Sequence, residues 1–180
     1  MNAIGYRDYK LDLVDIEIGY DLYTECDVAS RVWWCKEKTG VWGDGIINYP
    51  CDEYRAQRIG ILGEVAVANH LGIKYDLKYK QRGGDVDLHY DGYTIEVKTT
   101  EKDYGKGYVR HTDEYGRLKP LKADFYFFCF IKNECTVENK ATVSLAGCCQ
   151  RKFLESLDIE KSPRGNWYNY VPEYCTLAKP

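Results

Sequence analysis

Residues 84–99 read GDVDLHYDGYTIEVKT, and they decide the architecture. On either side of Asp91-Gly92 the apolar residues alternate: Val86, Leu88 and Tyr90 before it, Ile95 and Val97 after it. A period of two marks a strand with one buried face, and Asp-Gly between two such runs is a strong hairpin signal. Alternation assigns the remaining residues to the opposite face: Asp85, Asp87 and His89 on the first strand, Thr94, Glu96 and Lys98 on the second. With the apolar set facing a core, Asp87, Glu96 and Lys98 converge across the hairpin. Gly83-Gly84, just ahead of the acids, allow close backbone approach.

Downstream, residues 100–120 are polar and glycine-rich and end in Pro120, which predicts a long loop of the functional or mobile kind. Residues 123–131 (ADFYFFCFI) are apolar on both faces and read as a central buried strand, with 136–147 as its neighbour. A short helix is expected over about 150–156. The aromatic tail (Trp167, Tyr168, Tyr170, Tyr174) is expected to lie extended on the body.

Upstream, residues 73–79 (IKYDLKY) predict another strand. A helix over about 53–71 buries Ile59, Leu62, Val65, Ala66 and Asn69 and stops at Gly72. Residues 40–52 read as loop. Leu22, Cys26, Ala29, Trp33 and Lys36 recur at steps of three and four, which predicts a helix over 21–38. Leu11, Leu13, Ile16 and Ile18 outline a short strand whose alternation breaks at Val14. The sum is an α/β fold with a mixed central sheet flanked by helices. Residues 1–52 form an N-terminal strand-helix extension packed on a core of 53–180, which ends in an extended tail.

The chain has 180 residues, 44% hydrophobic and 29% charged, enough for one domain with a core. Its apolar runs fall short of the roughly 18 residues that span a bilayer, so no membrane is expected. Acids run through the first 20 residues, unlike a secretory signal, which places the protein in the cytoplasm. The net charge of −3 does not mark a nucleic-acid binder, but it is unevenly spread. Residues 1–53 hold 11 acids against 5 bases; residues 54–180 hold 17 against 20. The basic stretches are Lys74–Arg82 and Lys98–Lys122. In a reducing compartment the eight cysteines are expected as thiols. Cys129 and Cys148 sit in apolar runs as core residues; Cys26, Cys35 and Cys51 are the three that could collect a metal.

Two carboxylates a few ångströms apart repel unless a cation sits between them. Mg²⁺ suits such a pair, since it takes one or two carboxylates plus waters and phosphate oxygens. A lysine on the same face can stabilise charge developing on a phosphate. The competing interpretation is a solvated sheet face with ordinary ion pairs. Glu64 adds weight, because it lies in the otherwise apolar helical run GEVAVA, where an acid sits at the helix edge or is held inward.

Taken together, Gly60-x-x-Gly63-Glu64-x-Ala66-x-Ala68, Gly84-Asp85-Val86-Asp87-Leu88 and Ile95-Glu96-Val97-Lys98-Thr99 resemble the PD-(D/E)XK nuclease superfamily over roughly residues 53–147. Ala123-Asp124-Phe125-Tyr126 and Leu145-Ala146-Gly147 are similar to small phage-encoded members, which would imply a host cytoplasm. The resemblance implies a restriction-endonuclease-like core and a Mg²⁺-dependent DNA endonuclease using a metal-activated water, with Mn²⁺ as a substitute. It implies Glu64 as the helix acid, Asp87 as principal metal ligand, Glu96 as second ligand and Lys98 as catalytic lysine. Val86 stands where the superfamily often has proline, and Asp85 competes with Asp87 for the ligand role. Asp87 is preferred because it lies deeper in the strand.

Candidate DNA contacts are Lys78, Lys80 and Arg82 beside the site, and Lys102, Lys106 and Arg110 on the long loop. Tyr104 and Tyr108 are there to stack on bases. Adjacent Trp33 and Trp34 cannot both be buried by one helix, which leaves one for a homodimer surface. Two alternatives remain at this stage: a silent nuclease fold used for binding or assembly, and a nuclease acting on RNA.

Overall fold

The computed structural model describes residues 13–38, 54–77, 86–103, 106–110, 112, 117, 119–136, 138–161 and 168–170. Its elements in chain order are β1 (Val14–Ile18), α1 (Tyr20–Lys38), α2 (Arg55–Leu71), β2 (Leu88–Tyr90), β3 (Tyr93–Thr100), β4 (Val109–Arg110), β5 (Phe125–Asn133), β6 (Ala141–Gln150), α3 (Arg151–Glu155), β7 (Ile159–Lys161) and β8 (Tyr168–Tyr170).

Five strands form the main sheet, in the order β1-β6-β5-β3-β2. β3 and β5 are parallel and the other pairs antiparallel, so the sheet is mixed, as the sequence predicts. β5 lies at the centre, with Phe125 to Ile131 buried on both faces. Register shifts after Phe128 and Ile131 increase the twist and curl the sheet. The protein is therefore α/β, a mixed, curled sheet flanked by helices. No helix among the described residues is long and apolar enough to cross a membrane.

The two faces of the sheet carry separate clusters. Ile95, Val97, Phe127, Cys129, Val143 and Leu145 pack with Ile18 of β1, Cys26 and Ala29 of α1 and Leu62, Val65 and Ala66 of α2. Tyr126, Phe128, Phe130 and Ala146 face the other way and pack with Val109, Ala123 and Leu154. β1 is the edge strand beside β6, so the N-terminal extension supplies part of the main sheet and core. Its apolar register is Val14, Ile16 and Ile18, which alternate inward, while Leu13 is exposed. The apparent break at Val14 is the start of the strand.

Local chemistry sets the boundaries. Gly72, at φ 69°, ends α2 in the left-handed region; its N–H reaches Asn69 O and the Ile73 N–H reaches Ala68 O. Asp91 and Gly92 both have positive φ, the geometry of a two-residue turn matched to strand twist. The strand predicted over 73–79 is not one within residues 73–77, and residues 78–79 lie outside the described residues. Ile73, Tyr75 and Leu77 do alternate onto the core. Side-chain alternation records burial, but a strand also needs a neighbouring main chain. The predicted loop 100–120 contains β4, which joins β8 and β7 in a three-stranded sheet. Residues 168–170 of the tail thus pair with that loop.

The described cysteines 26, 129, 135, 148 and 149 form no disulfides among the described residues. Cys129 and Cys148 are core residues, as expected. Cys26 is fully buried in the main core too, and burial pushes its thiol up to about 12. Cys51 and the side chain of Cys35 lie outside the described residues. Trp33 is half-buried and packs on the main core.

Candidate active site

The site is built where β2 leaves β3. The ladder pairs Tyr90 with Tyr93 and Leu88 with Ile95 and stops there. Asp87 comes next, in a bend, and its carboxylate Oδ2 accepts the Val97 N–H at 2.7 Å. A side chain has taken the place of the next main-chain acceptor. The chain therefore turns away from β3 at Asp87, and Val86 packs with the second cluster instead of joining Leu88 and Tyr90 as alternation predicts. Asp87 sits at the edge of β3, where its carboxylate meets the Val97 main chain. Asp85 lies outside the described residues.

Glu96 and Lys98 are two residues apart on β3 and share a face, away from buried Ile95 and Val97. They form an ion pair, with side chains 27% and 36% exposed, reachable from solvent but seated. Their parallel-ladder neighbours are Tyr126 and Phe128 of β5. Burial raises the Tyr126 phenol above its ordinary pKa, and the charge of Glu96 adds to this. Glu96 and Lys98 come together as an ion pair, the pairing that the competing interpretation of a solvated sheet face expects, while the Asp87 carboxylate is engaged by the Val97 N–H.

Glu64 lies on α2, half-buried, on the helical side of the sheet. The Tyr75 hydroxyl donates to Glu64 Oε2 at 2.5 Å. Tyr75 is the residue sequence reasoning missed. Alternation turns it inward, and an inward phenol needs an acceptor, which an inward acid on the preceding helix supplies. That pairing of two unsatisfied expectations was the available signal.

Gly63 sets the height of this helix over β3. A Cβ at Gly63 would fall 1.8 Å from Thr99 Oγ1 and 2.9 Å from Thr99 Cβ. Gly63→Ala is expected to lower stability by about 1–3 kcal/mol, the usual cost of overpacking, and to displace Glu64 beside it. An unchanged melting temperature would show that the helix is not seated this closely.

Asp124 fastens the other end of β3. Its Oδ2 accepts from the Thr94 N–H at 3.0 Å and the Thr94 hydroxyl at 2.7 Å, and its own N–H reaches Thr94 O at 2.9 Å. Arg151 Nη2 approaches Asp124 Oδ1 at 3.4 Å. This clasp aligns β3 with β5 and so places Glu96 beside Tyr126.

Of the predicted DNA contacts, Lys78, Lys80 and Arg82 lie outside the described residues, as does Tyr104. Lys102 and Arg110 are exposed, and Lys106 lies over the Tyr108 ring at 5.8 Å. Gly107 holds this segment down: a Cβ there would meet the Phe128 ring at 2.2 Å. Since Phe128 neighbours Lys98 in the ladder, the 106–110 segment lies on the same side of the sheet as Lys98.

Among the described residues no three His, Cys, Asp or Glu side chains are grouped to hold a metal. The candidate ligands lie apart in their contacts: Asp87, in the bend before β2, is engaged by the Val97 N–H, Glu96 on β3 by Lys98, and Glu64 on α2 by Tyr75. Carboxylate oxygen donors of this kind suit Mg²⁺ rather than a softer metal. Comparison of the chain with family models, curated proteins and solved structures found no match.

Proposed function

We propose that this chain is a Mg²⁺-dependent DNA endonuclease of the PD-(D/E)XK type, with a restriction-endonuclease-like core. The observation that carries the reading is the Glu96–Lys98 pair on the open side of β3, next to the Asp87 carboxylate that ends β2. Asp87 and Glu96 would hold the metal, with Glu64 as the helix acid behind them. When bound, Mg²⁺ supplies a Lewis acid for the phosphate and lowers the pKa of a water.

The protein's own residues do the rest. The Val97 N–H fixes one oxygen of Asp87, so this carboxylate is oriented before substrate arrives. Glu96 restrains the Lys98 ammonium against the sheet, where it can donate to a non-bridging phosphate oxygen as negative charge builds. Tyr126 and Phe128 close the floor on that side with buried rings. Lys102, Lys106 and Arg110 supply sequence-independent contacts to the phosphate backbone.

The test incubates the protein with supercoiled plasmid, linear duplex, single-stranded DNA and RNA of the same sequence, in Mg²⁺ and in EDTA. Cleavage is expected on DNA, only with metal, and Lys98→Ala should reduce it by about 10²–10³-fold, the loss typical of one charge-stabilising donor. A folded wild type that cuts none of these substrates would overturn the reading. Cleavage of RNA alone would replace DNA as the substrate.

A further inference from the structure

We propose that the row Lys106, Tyr108 and Arg110 is a docking track for single-stranded DNA, and that the substrate therefore carries an unpaired stretch beside the bond to be cut. The inference rests on the metal-dependent nuclease reading and names the substrate class of that site. Burial alternates along this segment: Gly107, Val109 and Thr112 are buried, while Tyr108 and Arg110 are exposed. An extended chain sends alternate side chains to one side, so Lys106, Tyr108 and Arg110 share the outward side. The inward side is firmly seated. Gly107 lies so close to the Phe128 ring that a Cβ there would meet it at 2.2 Å, and Val109 packs into the second cluster. Val109 and Arg110 also pair with Tyr170 and Asn169 of β8. Phe128 is the ladder neighbour of Lys98, so the row lies on the Lys98 side of the sheet.

Tyr108 is 41% exposed although the backbone beneath it is held on both sides. Lys106 Nζ lies over its ring, 5.8 Å from the centre. A cation, a ring and a second cation at alternate positions match a single strand, with a base for the ring and phosphates for the cations. A duplex offers the phosphates but not the base, because the faces of its paired bases are already stacked on one another. An aromatic face therefore finds a base only where the strand is unpaired. Every base has such a face, so the track takes single strands without reading their sequence.

The experiment measures binding of the full chain to a labelled DNA single strand, a closed hairpin duplex and an RNA strand, by fluorescence anisotropy in EDTA so that nothing is cut. Cleavage of a forked and a closed duplex is followed in parallel in Mg²⁺. The wild type is expected to bind the DNA strand more tightly than the duplex and to cut the fork faster. Tyr108→Ala should weaken single-strand binding about 5–100-fold, the range for one base stacked on an aromatic ring, and remove the preference for the fork. Tyr108→Phe keeps the ring and should bind like the wild type. Arg110→Ala should lower the salt dependence by about one phosphate contact. Wild-type binding by Tyr108→Ala, or no preference of the wild type for the single strand, would overturn the track and leave the nuclease reading standing. RNA bound more tightly than DNA would overturn single-stranded DNA as its occupant. Tyr108-dependent binding without cleavage of any substrate would uphold the track as a binding surface and overturn the nuclease reading.

Discussion

Asp87→Asn is expected to lower metal-dependent cleavage by about 10³-fold while leaving the hairpin folded. The amide oxygen of Asn can still accept the Val97 N–H, so the bond that ends β2 is kept. What disappears is the negative charge of Asp87. A neutral amide is a weak ligand for a hard cation, and the loss combines metal affinity with transition-state stabilisation. Asp87→Ala removes the acceptor as well and leaves the half-buried Val97 N–H unpaired, which costs a further 1–3 kcal/mol or so of stability. The two variants should therefore share an activity defect but differ in urea midpoint. Cleavage at the wild-type rate by Asp87→Asn would exclude Asp87 as principal ligand and move that role to Asp85.

The second large effect concerns stability. Arg58→Ala should cost about 3 kcal/mol, the range found when one partner of a largely buried ion pair is removed. Arg58 is only 11% exposed and joins three elements. Its Nη1 bonds Asp27 Oδ1 of α1 at 2.9 Å, and its Nη2 reaches Glu134, beyond the end of β5, at 3.4 Å. Its guanidinium lies 5.8 Å from the Tyr23 ring centre and 5.7 Å from that of Tyr54. Burial works against the charge of Arg58, but Asp27, Tyr23 and Glu134 more than offset it. Arg55 extends the network to Glu101, one residue after β3. Arg58→Lys keeps the charge but not the fork, so an intermediate loss is expected. Urea unfolding of the three proteins checks the order, and equal stability of Arg58→Ala and wild type would refute the clasp.

The network also explains an element of the charge distribution. The acidic N-terminal region is no general surface: Asp27 is spent on Arg58 and Arg31 across α1 and α2, and Asp15 on Lys132 and Ser144 between β1 and its neighbours. Apart from Arg31, one turn from Asp27, the bases that pair with these acids are encoded much later in the chain. A tally of charge by segment cannot anticipate this.

The acids of the candidate site were legible to different degrees. Glu96 and Lys98 required only the strict alternation of 93–99 and the turn at Asp91-Gly92. Asp87 was found by the same alternation, but for a partly wrong reason. The run 86–90 is not one strand, since the Asp87 side chain ends it and Val86 turns to the other layer. Glu64 stood out as an acid in an apolar helix, and its partner was legible only by joining two separate signals, the inward acid and the inward phenol of Tyr75. Asp124 stood out only as part of the run Ala123-Asp124-Phe125-Tyr126, and neither its bonds to Thr94 nor the approach of Arg151 has a local signal.

By itself the sequence determined what depends on near neighbours: two amphipathic helices, the Gly72 stop, the hairpin turn, the doubly apolar central strand and the face shared by Glu96 and Lys98. These follow from side-chain spacing and backbone freedom, which act over a few residues. The tertiary structure decided what depends on distant groups. It set β1 against β6, turned residues 73–77 into a packed segment without a strand partner among the described residues, and drew β4 out of a loop to pair with β8. It also chose Tyr75 for Glu64 and Val97 for Asp87. Those choices rest on which unpaired donor meets which acceptor once the layers close, and no local period encodes that meeting.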